Sequence, residues 1–134
     1  MPLADLVSLL RQDLADTEKT LFADEVLARC LLKGAFRLAR DLRITLSVAG
    51  GEVAPEPEGE ARELLLLLGQ INACQVMRAS TANAFSFTSG DKSVNKTGQP
   101  KQWADLEESI TLQYRQRVAQ MTPGVHDDDG YIIT

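Results

Sequence analysis

Few residues in this chain could do chemistry. Asp127, Asp128 and Asp129 form an unbroken run whose oxygens suit a hard cation. They lack the spaced ligands and bidentate glutamate of a calcium-binding loop, so a solvated acidic stretch is the simpler expectation. Gly90-Asp91-Lys92-Ser93 superficially looks like a phosphate-binding loop. That motif, however, needs a glycine, four residues and then Gly-Lys-Ser/Thr at a strand-to-helix turn. Here Asp91 separates glycine from lysine, and its charge opposes the phosphate that backbone N–H groups would cradle. Cys30 and Cys74 are too few for a disulfide framework or a zinc site. Both lie in apolar helical runs, so two small buried thiols are expected. His126 is the one histidine, with no cysteine near it, which argues against His-centred catalysis. No nucleophile, base and orienting residue cluster together, so neither enzymatic activity nor a cofactor or metal is expected.

The most pointed charge feature is a set of four cations, Arg29, Lys33, Arg37 and Arg40, at steps of four, four and three. On a helix that spacing makes one stripe. A stripe of this kind is either a solvated face balanced by nearby acids or a contact surface for DNA phosphates or another subunit's carboxylates. The excess of acid elsewhere favours a protein partner. The C-terminal stretch Tyr131-Ile132-Ile133-Thr134 is unusually apolar for a terminus. It could pack on its own domain or add a strand or hook to another chain.

The elements that must position these residues follow from periodicity. Leu3, Leu6, Leu10 and Leu14 predict a first helix from about Pro2. A polar connector from Ala15 to Ala23 follows. A second helix is expected from Asp24, as N-cap, to about Leu42, with Leu27, Leu31, Ala35, Leu38 and Leu42 inward. Ile44, Leu46 and Val48 alternate with polar residues, Gly50-Gly51 is turn chemistry and Val53 begins a return strand; together they predict a short hairpin insert over about 44–57. A third helix is expected from about Glu58 or Glu60 to Ala82, apolar nearly all round at Leu64 to Leu68. Such a helix is either central in its own core or covered by another chain. Residues 85–100 read as a long loop, with Phe85 and Phe87 alternating as in a strand and with Gly98 and Pro100 as breakers. A last helix is expected from about Lys101 to Met121 along Trp103, Leu106, Ile110, Tyr114, Val118 and Met121. The expected architecture is thus mainly α: a small bundle of about four helices over residues 1–121, with a short β-hairpin insertion, an extended loop and an extended C-terminal tail over 122–134.

Composition limits the function. The 134 residues suit one domain with a core of its own. Hydrophobic residues are 44% and aromatics only 5%, so aliphatic side chains must fill that core. Fourteen Lys and Arg against nineteen Asp and Glu give −5, which argues against a general nucleic-acid binder. The longest apolar run, Leu64 to Leu68, is far short of the roughly 20 residues of a membrane span. The N-terminal stretch carries Asp5 and Asp13 and no basic run, so a signal peptide is not expected; a protein used in a reducing compartment fits best.

The order of segments resembles a known family. LFADEVLARCLLKGAFRLARDL leads through a Gly-containing insert to a Leu-rich helix, then to ASTANAFSFTSGDKSVNKTGQPKQWADLEESI and LQYRQRV. This is similar to the head-to-tail connector, or adaptor, proteins of tailed bacteriophages, over roughly Asp16 to Val118 and most characteristically over Ala84 to Trp103. The resemblance implies a non-enzymatic virion protein of the neck, between capsid and tail, made in the host bacterial cytoplasm. It implies a homo-oligomeric ring, commonly of twelve copies, that bridges the portal protein to a stopper or tail-completion protein. Double-stranded DNA passes through such a ring without sequence-specific binding. By position, Pro123, Val125, His126, Asp127, Asp128, Asp129, Tyr131, Ile132, Ile133 and Thr134 would dock into the portal. Phe85, Phe87, Ser89, Gly90, Asp91, Lys92, Val94 and Lys96 would form an inter-subunit or neck loop, and the Arg29, Lys33, Arg37, Arg40 stripe would meet acids of a neighbouring copy. The alternative is a small helical DNA-binding regulator or packaging accessory using the same basic stripe.

Overall fold

The computed structural model describes the backbone of residues 1–19, 21–87 and 99–121, and the side chains of residues 1–19, 21–80 and 101–121. The elements run α1 (Leu3–Asp13), α2 (Asp24–Leu42), β1 (Ser47–Ala49), β2 (Glu52–Ala54), α3 (Gly59–Phe87) and α4 (Gln99–Met121). The fold is mainly helical with one antiparallel hairpin, as the periodicity predicts.

Helix α3 is the axis of the fold, and α1, α2 and α4 all pack against it. Leu64, Leu65, Leu66, Leu67 and Leu68 are all buried, as are Ile71, Ala73 and Cys74. The leucine run is therefore covered within its own chain, and the other option, cover by a second chain, is not needed for it. Two glycines let the helices come close. A Cβ on Gly69 would stand 2.9 Å from Leu10 Cδ2 and 3.2 Å from Leu31 Cδ2, so α1 and α2 converge there. A Cβ on Gly34 of α2 would stand 3.1 Å from Leu68 Cβ.

Several boundaries differ from the expected ones, each for a physical reason. Asp24 is the first residue of α2 rather than its cap; Ala23 is the N-cap and makes no side-chain cap bond. The Asp24 carboxylate instead accepts from Arg11 Nη2 at 2.6 Å. Helix α3 continues to Phe87, so Phe85 and Phe87 are helical and not a strand. The stretch Ala79 to Phe87 contains no Gly or Pro, and two alternating aromatics do not outweigh propagation of an established helix. Helix α4 begins at Gln99, so Pro100 lies in its first turn, where the missing N–H costs nothing, and is not a breaker. The hairpin is shorter than the apolar alternation suggests. Its register pairs Val48 with Val53, and Ile44 stays outside it, exposed. Gly50 and Gly51 turn it with φ of +60° and +78°, a two-residue loop of the kind that matches strand twist.

The connector between α1 and α2 is organised by a buried charge cluster. Arg11 Nη1 donates to Asp16 Oδ2 at 2.9 Å and to the Phe22 carbonyl at 2.9 Å. The second carboxylate face of Asp16 accepts the backbone N–H of Leu21 at 3.1 Å, and Oδ2 also accepts that of Phe22 at 3.0 Å. The side chains of Arg11 and Asp16 are 6% and 1% exposed, so this pair works out of water. It seats Phe22 in the core, edge-on to Trp103 of α4 at a centroid distance of 6.4 Å. Breaking a buried pair costs more than the pair contributes, because one charge is left without a partner. Asp16→Ala is therefore expected to lower unfolding stability by about 3 kcal/mol, measured by urea denaturation followed through Trp103 fluorescence. A change within about 0.5 kcal/mol, the ordinary scale for surface substitutions, would show that the cluster is not structural.

Candidate functional site

Among the described residues, no group of three or more His, Cys, Asp or Glu is placed to hold a metal ion, and no helix is long and apolar enough to cross a membrane. Two hollows border α2. The larger, about 660 Å³, lies between α1 and the start of α2 and is lined by Leu3, Val7, Arg11, Lys19 and Asp24 among others. Its charged groups already bind one another: Arg11 holds Asp24 at 2.6 Å, and Lys19 reaches it at 3.6 Å. The Arg11 hydrogen bond, then the Lys19 charge, keeps the Asp24 carboxyl below its usual range. The smaller hollow, about 340 Å³, is lined by Glu25, Val26, Arg29, Cys30, Lys33, Asn72 and Val76, with Glu25 one turn before Arg29 but forming no ion pair with it. Cys30 is buried there and desolvation raises its thiol pKa, while Cys74, chiefly for the same reason, is pushed up to about 11. Both stay as thiols near neutral pH, which bears out two buried cysteines and gives neither the character of a nucleophile.

The outer face of α2 holds the strongest unengaged chemistry. The four cations do not act as one stripe. Arg37 turns inward: its guanidinium carbon lies 4.9 Å from the centroid of the Tyr114 ring, and its Nε lies 3.4 Å from Asp41 Oδ2. Tyr114 donates its hydroxyl to the same Asp41 oxygen at 2.7 Å. Burial first, and then that bond, raise the Tyr114 pKa far above the physiological range, so the phenol stays protonated. Arg37 thus ties α2 to α4. Its place on the exposed face is taken by Phe36, a residue that sequence reasoning overlooked. Arg29, Lys33, Phe36 and Arg40 fall at steps of four, three and four, all exposed, with Phe36 at 68%. The signal was present in the sequence as an aromatic between two cationic turns, but a single large apolar residue has no period of its own. Arg40 also approaches Asp41, at 3.6 Å, while Arg29 and Lys33 have no carboxylate within 4.0 Å among the described residues.

Two further ion pairs fasten α4 to α3. Arg117 makes a two-pronged bond to Glu60 at 2.6 and 2.7 Å, and Glu107 accepts from Arg78 at 2.6 Å and Gln75 at 3.1 Å. Of the expected loop residues, Phe85 and Phe87 have helical backbone at the end of α3. Ser89, Gly90, Asp91, Lys92, Val94 and Lys96, and the whole expected tail including Pro123, Val125, His126, Asp127, Asp128, Asp129, Tyr131, Ile132, Ile133 and Thr134, lie outside the described residues.

The Glu60 carboxyl is lowered from its ordinary 4.5, first by the Arg117 hydrogen bond. A carboxyl lowered by folding adds stability above its unfolded value and loses it as pH falls through the folded value. Glu60→Gln is thus expected to be less stable than the parent at pH 7 in thermal melts, with the gap closing below pH 4.5. A gap that persists undiminished at pH 3 would contradict a charge-based link. Compared with known proteins, the chain matches no family model, no curated protein and no solved structure.

Proposed function

We propose that this chain is a structural head-to-tail adaptor of a tailed bacteriophage, acting by assembly and not by catalysis. Copies form a ring beneath the portal, join it to a stopper or tail-completion protein, and leave a channel for double-stranded DNA. One observation supports this reading above the others: a core complete within one chain coexists with large apolar side chains left on its outer surfaces. Phe36 is 68% exposed on α2 and Leu112 58% on α4, with Leu106 also exposed. A rigid block with apolar groups on two outer helices is suited to lateral contacts. The segment resembling the adaptor family, Ala84 to Trp103, spans the junction of α3 and α4. The net charge of −5 fits a conduit, because a lumen that bound phosphates tightly would slow the passage of DNA. Portal attachment falls to residues 123–134, and contacts with the neighbour or the next ring fall to residues 85–100.

The exposed cations at Arg29, Lys33 and Arg40 favour one other reading, a small DNA-binding accessory. Binding of that kind is salt-dependent, since each phosphate contact releases counterions. Electrophoretic shift at low salt, with and without alanine at Arg29, Lys33, Arg37 and Arg40, separates the two; the adaptor reading expects no shift that depends on these side chains. Deletion of residues 123–134 is expected to abolish capture by the portal in a pull-down while circular dichroism stays helical. Undiminished capture would sink the docking role of that segment.

A further inference from the structure

We propose that copies of this chain join head-to-tail through two faces on opposite sides of the domain, Arg29, Lys33, Phe36 and Arg40 of one copy meeting Asp13, Glu63 and the half-buried Leu9 of the next. This rests on the assembly part of the proposed function and adds to it the identity of the mating surfaces.

The first face is set by helical phase. Leu27, Leu31 and Leu38 point α2 at the core and are fully buried. At 100° per residue, Arg29, Lys33, Phe36 and Arg40 centre about 180° from them. The face is therefore centred away from the core, and its Arg29 and Lys33 edge borders the hollow shared with Asn72 and Val76 of α3. It carries cations with no carboxylate at Arg29 and Lys33 among the described residues, and a phenyl ring that the fold leaves in water.

The second face follows from α3. Leu65, Leu68 and Gly69 are the positions that meet α2. Glu63 precedes Leu65 by two residues, about 200° around the helix, and so points away from α2. Asp13 at the end of α1 lies close enough to feel it: the Asp13 carboxyl is raised by burial and then by the Glu63 charge. Arg117 is also within electrostatic reach of Glu63, but its fork is engaged with Glu60. Neither Asp13 nor Glu63 forms an ion pair among the described residues. Two like charges side by side are relieved by an arriving cation. Leu9, one turn before Asp13, offers apolar surface for Phe36.

Two different, complementary patches on one chain make a heterologous contact, which repeats from copy to copy and closes into a ring when the rotation allows. Opposite charge across the junction also sets its register and rejects face-to-face pairing of like patches.

Native mass spectrometry of the full chain tests this with two charge-reversed variants. One carries Lys33→Glu and Arg40→Glu; the other carries Glu63→Lys and Asp13→Asn. Circular dichroism checks that each keeps its helices. The parent is expected to assemble, each variant alone to run as a monomer, and an equimolar mixture to reassemble with alternating copies, because each variant supplies the face the other lacks. Phe36→Ala, which moves no charge, is expected to shift the parent towards monomer. The inference is overturned if either folded variant assembles like the parent, if the mixture of two folded variants stays monomeric, or if the parent itself is a monomer at all concentrations. It is also overturned if Lys33→Glu with Arg40→Glu abolishes duplex binding while leaving assembly intact. Assembly that survives reversal leaves the adaptor reading standing with other faces; successful mixing without portal capture leaves the faces standing and removes the adaptor reading.

Discussion

Five consecutive leucines on a helix cannot share one face. Successive residues turn by about 100°, so Leu64 to Leu68 surround α3 completely and must be covered from every side. That demand arranges the fold. Helix α2 covers the side of Leu65 and Leu68, α1 presses on Gly69 through Leu10, and α4 closes the rest with Ile110, Tyr114 and Val118. Each leucine contributes about 1.5–3 kcal/mol when fully buried, so the run outweighs any single polar contact in the chain. Gly34 and Gly69 are the concession that lets the backbones approach closely enough for the cover to be complete.

Charge then divides into two populations with different work. One is internal. Arg11 with Asp16 shapes the connector, Asp41 joins Arg37 to Tyr114, and Glu60 with Arg117 and Arg78 with Glu107 tie α3 to α4. These groups have their partners within the chain. The other population faces outward and forms no ion pair among the described residues, at Arg29 and Lys33 on one side and Asp13 and Glu63 on another. A net charge of −5 conceals this polarity, because it sums charges that form no ion pair with one another among the described residues.

The helices, the hairpin and its glycine turn, and the burial of both cysteines were legible from periodicity and residue type, since each depends on a local repeat. The Arg11 cluster was not legible. Arg11, Asp16 and Asp24 have no spacing that distinguishes a buried pair from a solvated one, and Asp24 is as good a cap as it is an acceptor. Of the four cations, Arg29, Lys33 and Arg40 share the exposed face, whereas Arg37 is drawn to Tyr114 and Asp41. Whether Arg37 points outward depends on Tyr114, which is remote in sequence from it and arrives beside it only through the packing of α4. The end of α3 was misplaced because alternation at Phe85 and Phe87 is a weaker signal than the lack of any breaker before Gly90. Phe36 was passed over because one exposed ring leaves no pattern.

A domain with a complete core, internal ion pairs and outer charges that form no ion pair among the described residues is suited to be a building block, and under the proposed function a ring of copies is the working unit. The most direct measurement is the mass and symmetry of the particle, by native mass spectrometry and negative-stain imaging, for the full chain alone and mixed with the portal. A closed oligomer of single defined copy number that stacks coaxially on the portal is expected under the proposed function. A chain that stays monomeric at every concentration and forms no complex with the portal would contradict it.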